Sequence, residues 1–167
     1  LVIWLVPWSN LLEQTMSALS SPKHPYRQRL NALFQNRISI YDKEMALQGA
    51  NFSSSIVQEQ LSIIVMSFAS LRARRKADRK VYQENGHLTS FVSSYTPQTP
   101  LLPNIDETAL INVIRHLNPV VIVDESHNAE SKLSVEMLQN LNPSFVLDLT
   151  ATPKKNSNLV SIVPAIR

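Results

Sequence analysis

Four short apolar runs constrain what this chain can fold into. The runs are residues 1–6, 61–66, 120–123 and 145–149, and stretches with helical spacing separate them. They are nearly continuous rather than alternating, with Ser62 and Asp148 as the polar exceptions. Strands of this kind that alternate with helices are typical of parallel sheets, in which helices cover both faces. Residues 37–42 alternate and predict one more strand. The sequence therefore predicts an α/β fold with a mostly parallel sheet, in which residues 120–123 and 145–149 form interior strands.

The connecting segments have the apolar spacing of amphipathic helices. Ser9 or Asn10 is expected to cap the first helix, because either side chain can accept a hydrogen bond from the first turn. In the second helix, residues 26–34, the spacing predicts that Leu30, Leu33 and Phe34 face inward. The remaining helices are predicted at residues 42–50, 104–118 and 131–140.

The composition excludes several classes of protein. The chain has no cysteine, which rules out disulfides and thiolate metal sites and fits a reducing compartment. None of its apolar runs approaches the roughly 18 residues that a membrane span needs, and the apolar opening lacks the basic leader of a signal peptide. We therefore expect a cytoplasmic protein without a membrane partner. The net charge of +3 is a weak indication of an anionic partner.

Two polar segments interrupt the pattern of strands and helices. Residues 71–80, LRARRKADRK, carry six basic residues and one acidic residue. This basic segment is either a solvated face or an element that contacts phosphates. Residues 82–103 are rich in serine, threonine and proline, which predicts an inserted loop outside the core fold.

The run at residues 120–123 ends in two adjacent carboxylates, Asp124 and Glu125, within the sequence VVIVDESH. Unpaired buried charges are very costly, so these side chains should face solvent or a cation. Mg²⁺ prefers carboxylate and water oxygens and commonly links protein to nucleotide phosphates. Asp124 would hold the ion, and Glu125, which points away from it on an extended chain, would accept a proton from an attacking water. This is the Walker-B arrangement of phosphoryl-transfer enzymes; a strand end followed by a helix-capping acid is the alternative.

Three sequence motifs together resemble a known family. DESH at residues 124–127 is followed 26 residues later by TATP, and LVPWSNLLEQ lies far upstream. This set resembles the superfamily 2 helicases of the DExH type, with the closest likeness to the helicase-like restriction subunit of type III restriction enzymes. In that family the segments correspond to motif II (124–127), motif III (150–152) and motif Ia (4–14), and residues 66–72 are a looser match to motif Ib. The resemblance implies a RecA-like fold of the P-loop NTPase type.

The resemblance also implies roles for individual residues at the nucleotide. Asp124 would coordinate the Mg²⁺ of bound ATP, and Glu125 would activate the hydrolytic water. His127 would connect the nucleotide site to motif III and to a second domain, whereas in the simpler interpretation it caps the next helix. Thr150 and Thr152 would couple the ATP state to the grip on nucleic acid, unless they are ordinary turn hydroxyls.

A further set of residues would contact nucleic acid if the resemblance holds. Motif Ia would place its polar residues near the sugar-phosphate backbone, with helix amides assisting. The position after the second run suits motif Ib, and the basic segment follows it directly. The residues concerned are Pro7, Ser9, Asn10, Ser67, Arg72, Arg74 and Arg75. The two tryptophans, Trp4 and Trp8, are predicted to be packing residues.

Motif I of this family, the glycine-rich phosphate loop GxxxxGK[ST], does not occur in the sequence, whose two glycines lie 37 positions apart. We expect it upstream of Leu1, with a second RecA-like domain after Arg167. The chain is then the distal part of a first motor domain and inactive by itself. The implied parent is an ATP-dependent translocase or helicase on double-stranded DNA, the restriction subunit of a type III system, with a modification methyltransferase subunit as a further partner. A repair or RNA-remodelling ATPase of the same superfamily and a non-catalytic nucleic-acid-binding module remain as alternatives.

Overall fold

The computed structural model describes residues 1–71, 78–124 and 132–151 of the 167-residue chain. Five strands are present in this part: β1 Val2–Val6, β2 Ile38–Asp42, β3 Leu61–Ser67, β4 Val120–Asp124 and β5 Phe145–Leu149. The α-helices are α1 Ser9–Ser20, α2 Pro25–Leu33, α3 Lys43–Leu47, α4 Ser54–Glu59, α5 Thr89–Val92, α6 Leu110–Leu117 and α7 Lys132–Asn140. Short 3₁₀ helices occupy Phe68–Leu71, Asp78–Tyr82 and Gly86–Leu88. Within the described ranges, no helix is long and apolar enough to cross a membrane.

The five strands form one sheet in the order β2-β3-β1-β4-β5, and every neighbouring pair is parallel. The predicted parallel α/β fold is confirmed. Parallel neighbours need crossover connections, and the helical segments between the strands supply them. Because all strands run the same way, all of their carboxyl ends lie along one edge of the sheet.

Both faces of the sheet carry a hydrophobic cluster. On one face, Ile3, Leu5, Val121 and Val123 are fully buried and pack in a cluster with the apolar side of α6. The opposite face carries a smaller cluster around Leu19, Ile63 and Val65, with Leu12, Met16 and Leu30 packed against it. The alternation of side chains along each strand sends successive residues to these two clusters. This explains why the strands at the centre of the sheet, β1, β3 and β4, are largely apolar.

Strand β5 was predicted to be interior, but it lies at the edge of the described sheet. Four of its five residues, all except Leu147, are exposed. A continuous apolar run indicates a strand but carries no information about the number of its neighbours. The prediction of an interior position is therefore wrong for this sheet, while β4 is interior as predicted.

The segment 82–103 adds no strand to the sheet, yet it contributes to the core. Leu88 and Phe91 are fully buried in the larger hydrophobic cluster. The ring of Phe91 lies 5.0 Å from that of Phe52, which in turn contacts Tyr41 edge-on at 5.2 Å. The prediction that this segment stays outside the core is wrong, because two large apolar side chains anchor an otherwise polar stretch. Its status as an insertion relative to the family stays a prediction.

Two helix predictions also need correction. Helix α6 begins at Leu110 rather than at residue 104, because the buried Asn112 side chain binds the preceding loop. Its Oδ1 accepts a hydrogen bond from Leu102 N at 2.8 Å, and its Nδ2 donates to the carbonyl oxygens of Ile105 and Asp106. In α2, only Leu30 packs against the sheet as predicted, whereas Leu33 and Phe34 are exposed.

A polar cluster at His116 makes the stability of the fold sensitive to pH. Ser94 Oγ donates to Phe91 O at 2.6 Å and lies 2.9 Å from His116 Nε2, so this ring nitrogen donates to Ser94. The ring of Tyr95 packs at 4.6 Å from the imidazole. Burial lowers the pKa of His116 below its ordinary value of 6.5. Protonation thus costs more in the folded chain than in the unfolded chain.

We expect the thermal unfolding midpoint to fall as the pH drops through 6.5 towards the lower folded-state pKa of His116. The sign follows because the unfolded chain binds the proton more readily in this window. His116→Gln keeps an N–H donor for Ser94 and removes the titration, so its midpoint should decline less over the same range. Equal declines in both proteins, measured by circular dichroism, would contradict this assignment.

Candidate functional site

The carboxyl edge of the sheet brings together side chains from four motif segments. Val6 pairs with Ser67, Leu5 pairs with Val123, and Asp124 pairs with Leu149. The order of residues along the edge is therefore Ser67 at the end of β3, Pro7 after β1, Asp124 at the end of β4 and Thr150 after β5. Ligands of open α/β sheets bind at this edge.

Asp124 is the last residue of β4 and is partly exposed. The residue before it, Val123, is fully buried on one face, so the carboxylate of Asp124 lies on the opposite side of the strand. A partly exposed carboxylate at a sheet edge can meet a hydrated divalent cation without the cost of a buried charge. Among the described residues, no three histidine, aspartate or glutamate side chains form a metal-binding group.

Residues 7–10 turn the chain from β1 into α1. Ser9 and Asn10 were predicted to cap this helix, but both lie inside it, and Trp8 is the N-cap residue. The capping prediction is wrong because Leu12 N already bonds Trp8 O, which places the helix start one residue earlier. The indole of Trp8 cannot accept a hydrogen bond, and α1 has no acidic residue in its first turn. The amino end of α1 at this edge is therefore uncapped by its own side chains, which favours an anion there.

The two tryptophans differ in their surroundings. Trp4 packs against the smaller hydrophobic cluster, as predicted for a packing residue. Trp8 has 54% of its surface exposed, which contradicts that prediction. The periodicity of the strand ends at Pro7, so it contains no information on where the Trp8 side chain lies.

The described residues on either side of 72–77 lie next to the carboxyl end of β3. Ser67 Oγ lies 3.2 Å from Ser70 Oγ, and the neighbouring Phe68 and Leu71 are buried. After the segment, Tyr82 Oη donates to Leu71 O at 2.7 Å. Burial raises the pKa of Tyr82, with a smaller contribution from the charge of Glu136, so the phenol keeps its proton. The hydrogen bond from Tyr82 to Leu71 was not predicted, because no sequence pattern indicates a contact between residues 11 positions apart.

Several predicted site residues lie outside the described ranges. These are Arg72, Arg74, Arg75, Glu125, His127 and Thr152. Their roles stay predictions.

The comparisons with known proteins identify the family. A family model described as the res subunit of type III restriction enzymes matches residues 1–155. The search of curated proteins gives no match. The matched stretch includes all five strands and every motif segment gathered at the carboxyl edge. From its amino end to the residues just past motif III, this chain belongs to the helicase-like res subunit family of type III restriction enzymes.

Proposed function

We propose that this chain forms the distal part of the first RecA-like motor domain of an ATP-dependent translocase on double-stranded DNA. In this proposal its parent is the restriction subunit of a type III restriction-modification system and works with a modification methyltransferase. The observation that carries the proposal is the common edge shared by Pro7, Ser67, Asp124 and Thr150. A motor needs its nucleotide contacts and its nucleic-acid contacts on one rigid element of structure. In this proposal the carboxyl edge of the sheet would carry both sets of residues.

The nucleotide half of the proposal rests on β4 and β5. Asp124 would hold Mg²⁺ directly or through water, and the ion would neutralise charge on the phosphates of ATP. Glu125 follows at the next position and would take the proton of the attacking water. His127 would connect the nucleotide site to motif III and to a second domain. Thr150 follows Leu149, the residue that pairs with Asp124, and Thr150 and Thr152 would pass on the nucleotide state through their hydroxyl groups.

The DNA half of the proposal rests on β1 and β3. The uncapped start of α1, with Ser9 and Asn10 exposed, offers backbone N–H groups and short polar side chains to a phosphate. Ser67 lies on the neighbouring strand in register with Val6. Arg72, Arg74 and Arg75 follow the anchored Leu71 and would add contacts to the backbone that depend on salt.

We expect the triple change Arg74→Ala, Arg75→Ala and Lys76→Ala to weaken DNA binding in the complete protein. Each lost phosphate contact should reduce the slope of log affinity against log salt by roughly one, independent of DNA sequence. The measurement is a fluorescence titration of a DNA duplex at several salt concentrations.

The matched control removes cations from another surface, with Arg29→Ala and Arg37→Ala in α2 and the turn after it. This control should leave the salt slope unchanged, because Arg37 directly precedes β2 at the amino edge of the sheet and Arg29 lies in α2, outside the motif segments. If the triple variant keeps the wild-type slope, the basic segment is a solvated face and does not contact DNA.

A further inference from the structure

Helix α2 and the turn that follows it present an unusual combination of exposed apolar and cationic side chains. Tyr26, Leu33 and Phe34 have 62%, 59% and 42% of their surfaces exposed. The cations Lys23, Arg29 and Arg37 are exposed among them. We call these six residues the α2 patch and propose that it docks an acidic, amphipathic segment of a partner protein.

The helix is attached to the domain by few contacts, which leaves the patch open. No residue of α2 is buried. Leu30 packs against the smaller hydrophobic cluster, and Arg27 donates to Asn31 Oδ1 at 2.9 Å and to Leu19 O at 3.2 Å. Tyr26, Arg29 and Leu33 follow one another at helical spacing and form an exposed stripe beside Leu30, the residue through which the helix contacts the cluster. Phe34 and Arg37 extend the patch into the turn that follows the helix.

The turn after α2 holds the end of the stripe in a defined shape. Arg37 N donates to Phe34 O at 2.9 Å, and Asn36 N donates to Asn31 O at 3.0 Å. Gln35 and Asn36 both have positive φ, at 53° and 62°. Asparagine tolerates this region, whereas a glutamine there is uncommon. The two hydrogen bonds define the backbone of the turn that carries Phe34 and Arg37.

The charge of the patch selects an acidic partner. No aspartate or glutamate occurs between Glu13 and Asp42, whereas Lys23, Arg27, Arg29 and Arg37 lie in that interval. Among the described residues, none of the three patch cations forms an ion pair. Cations without counter-charges attract carboxylates and repel basic surfaces. Such charge complementarity determines which partner binds more than it determines the affinity of binding.

The apolar members and the location of the patch favour a protein over DNA. A phosphate backbone offers nothing to bury the side chains of Leu33 and Phe34, whereas leucine-type side chains on a helix would. Arg37 directly precedes β2, and its carbonyl accepts a hydrogen bond from Leu61, the first residue of β3. The patch thus adjoins the amino edge of the sheet, a strand length of roughly 17 Å from the carboxyl edge. This docking surface is independent of the proposed nucleotide and DNA contacts.

The test uses the purified chain and a labelled synthetic helical peptide with a leucine stripe flanked by glutamates. We expect saturable binding that weakens with salt, and a loss of roughly tenfold or more in affinity for Arg29→Ala combined with Leu33→Ser. A scrambled peptide of the same composition should bind more weakly. The control variant, Val135→Ser, removes an exposed apolar side chain elsewhere and should bind like wild type.

The single change Arg29→Glu keeps the apolar stripe and reverses one charge, so it should also lose the acidic peptide. Circular dichroism of each variant checks that the fold is retained, as expected for exposed positions. The proposal is overturned if the wild-type chain does not bind the peptide, or if the patch and control variants lose affinity equally. It is equally overturned if a DNA duplex or phosphatidylglycerol vesicles bind through the patch while the peptide does not.

Discussion

Replacing Glu125 by glutamine should abolish most ATP hydrolysis in the complete protein while leaving ATP binding intact. The amide cannot accept a proton from the attacking water, whereas Asp124 at the end of β4 remains to hold the metal ion. Loss of a general base costs about 10²- to 10⁴-fold in rate, which corresponds to roughly 3 to 5 kcal/mol of barrier. The measurement is steady-state ATPase activity with DNA present, together with nucleotide affinity.

Two further variants make this test specific. Asp124→Asn should lower hydrolysis and also weaken the Mg²⁺-dependent part of ATP binding, since it removes the ligand charge. Asp148→Asn removes another carboxylate next to this edge, one that is exposed and in register with Val123, and should retain near wild-type hydrolysis. If Glu125→Gln hydrolyses ATP at nearly the wild-type rate, the paired acids are not a Walker-B site and the proposed motor function loses its basis.

Replacing Phe91 by alanine should destabilise the chain by about 3 to 5 kcal/mol. Its ring is fully buried and packs against Phe52, so truncation removes apolar contacts and leaves a cavity in the larger cluster. Typical domains have only about 5 to 15 kcal/mol of stability, so this loss is a large share of the total. Urea unfolding followed by circular dichroism measures the change.

The control for this change lies in the same segment. Gln98 is exposed, and Gln98→Ala should alter the free energy of unfolding by less than about 0.5 kcal/mol. If Phe91→Ala changes the free energy of unfolding as little as the control does, residues 82–103 do not contribute to the stability of the core. A large effect would show that this polar segment is part of the folding unit.

The apolar runs of the sequence were sufficient to predict the sheet and the edge along which the motif segments lie. Residues 1–6, 61–66 and 120–123 are apolar on both faces, and only a parallel sheet covered by helices buries both faces of several such strands. Parallel strands place their carboxyl ends at one edge, so the common edge of Pro7 and Asp124 followed from the strand assignment alone. Their proximity along that edge depends on the pairing of β1 with β4, which the strand assignment does not give.

The tertiary structure decided what surrounds each element. Periodicity shows that Leu33 and Phe34 lie on an apolar stripe of α2, but it cannot tell whether another element covers that stripe. In the same way, the apolar β5 lies at the edge of the described sheet, and the polar segment 82–103 sends Phe91 into the core. Burial depends on neighbours that are distant in sequence, as does the hydrogen bond from Tyr82 to Leu71. A sequence pattern therefore determines which face of an element is apolar, and only the packing of the whole chain determines whether that face is buried.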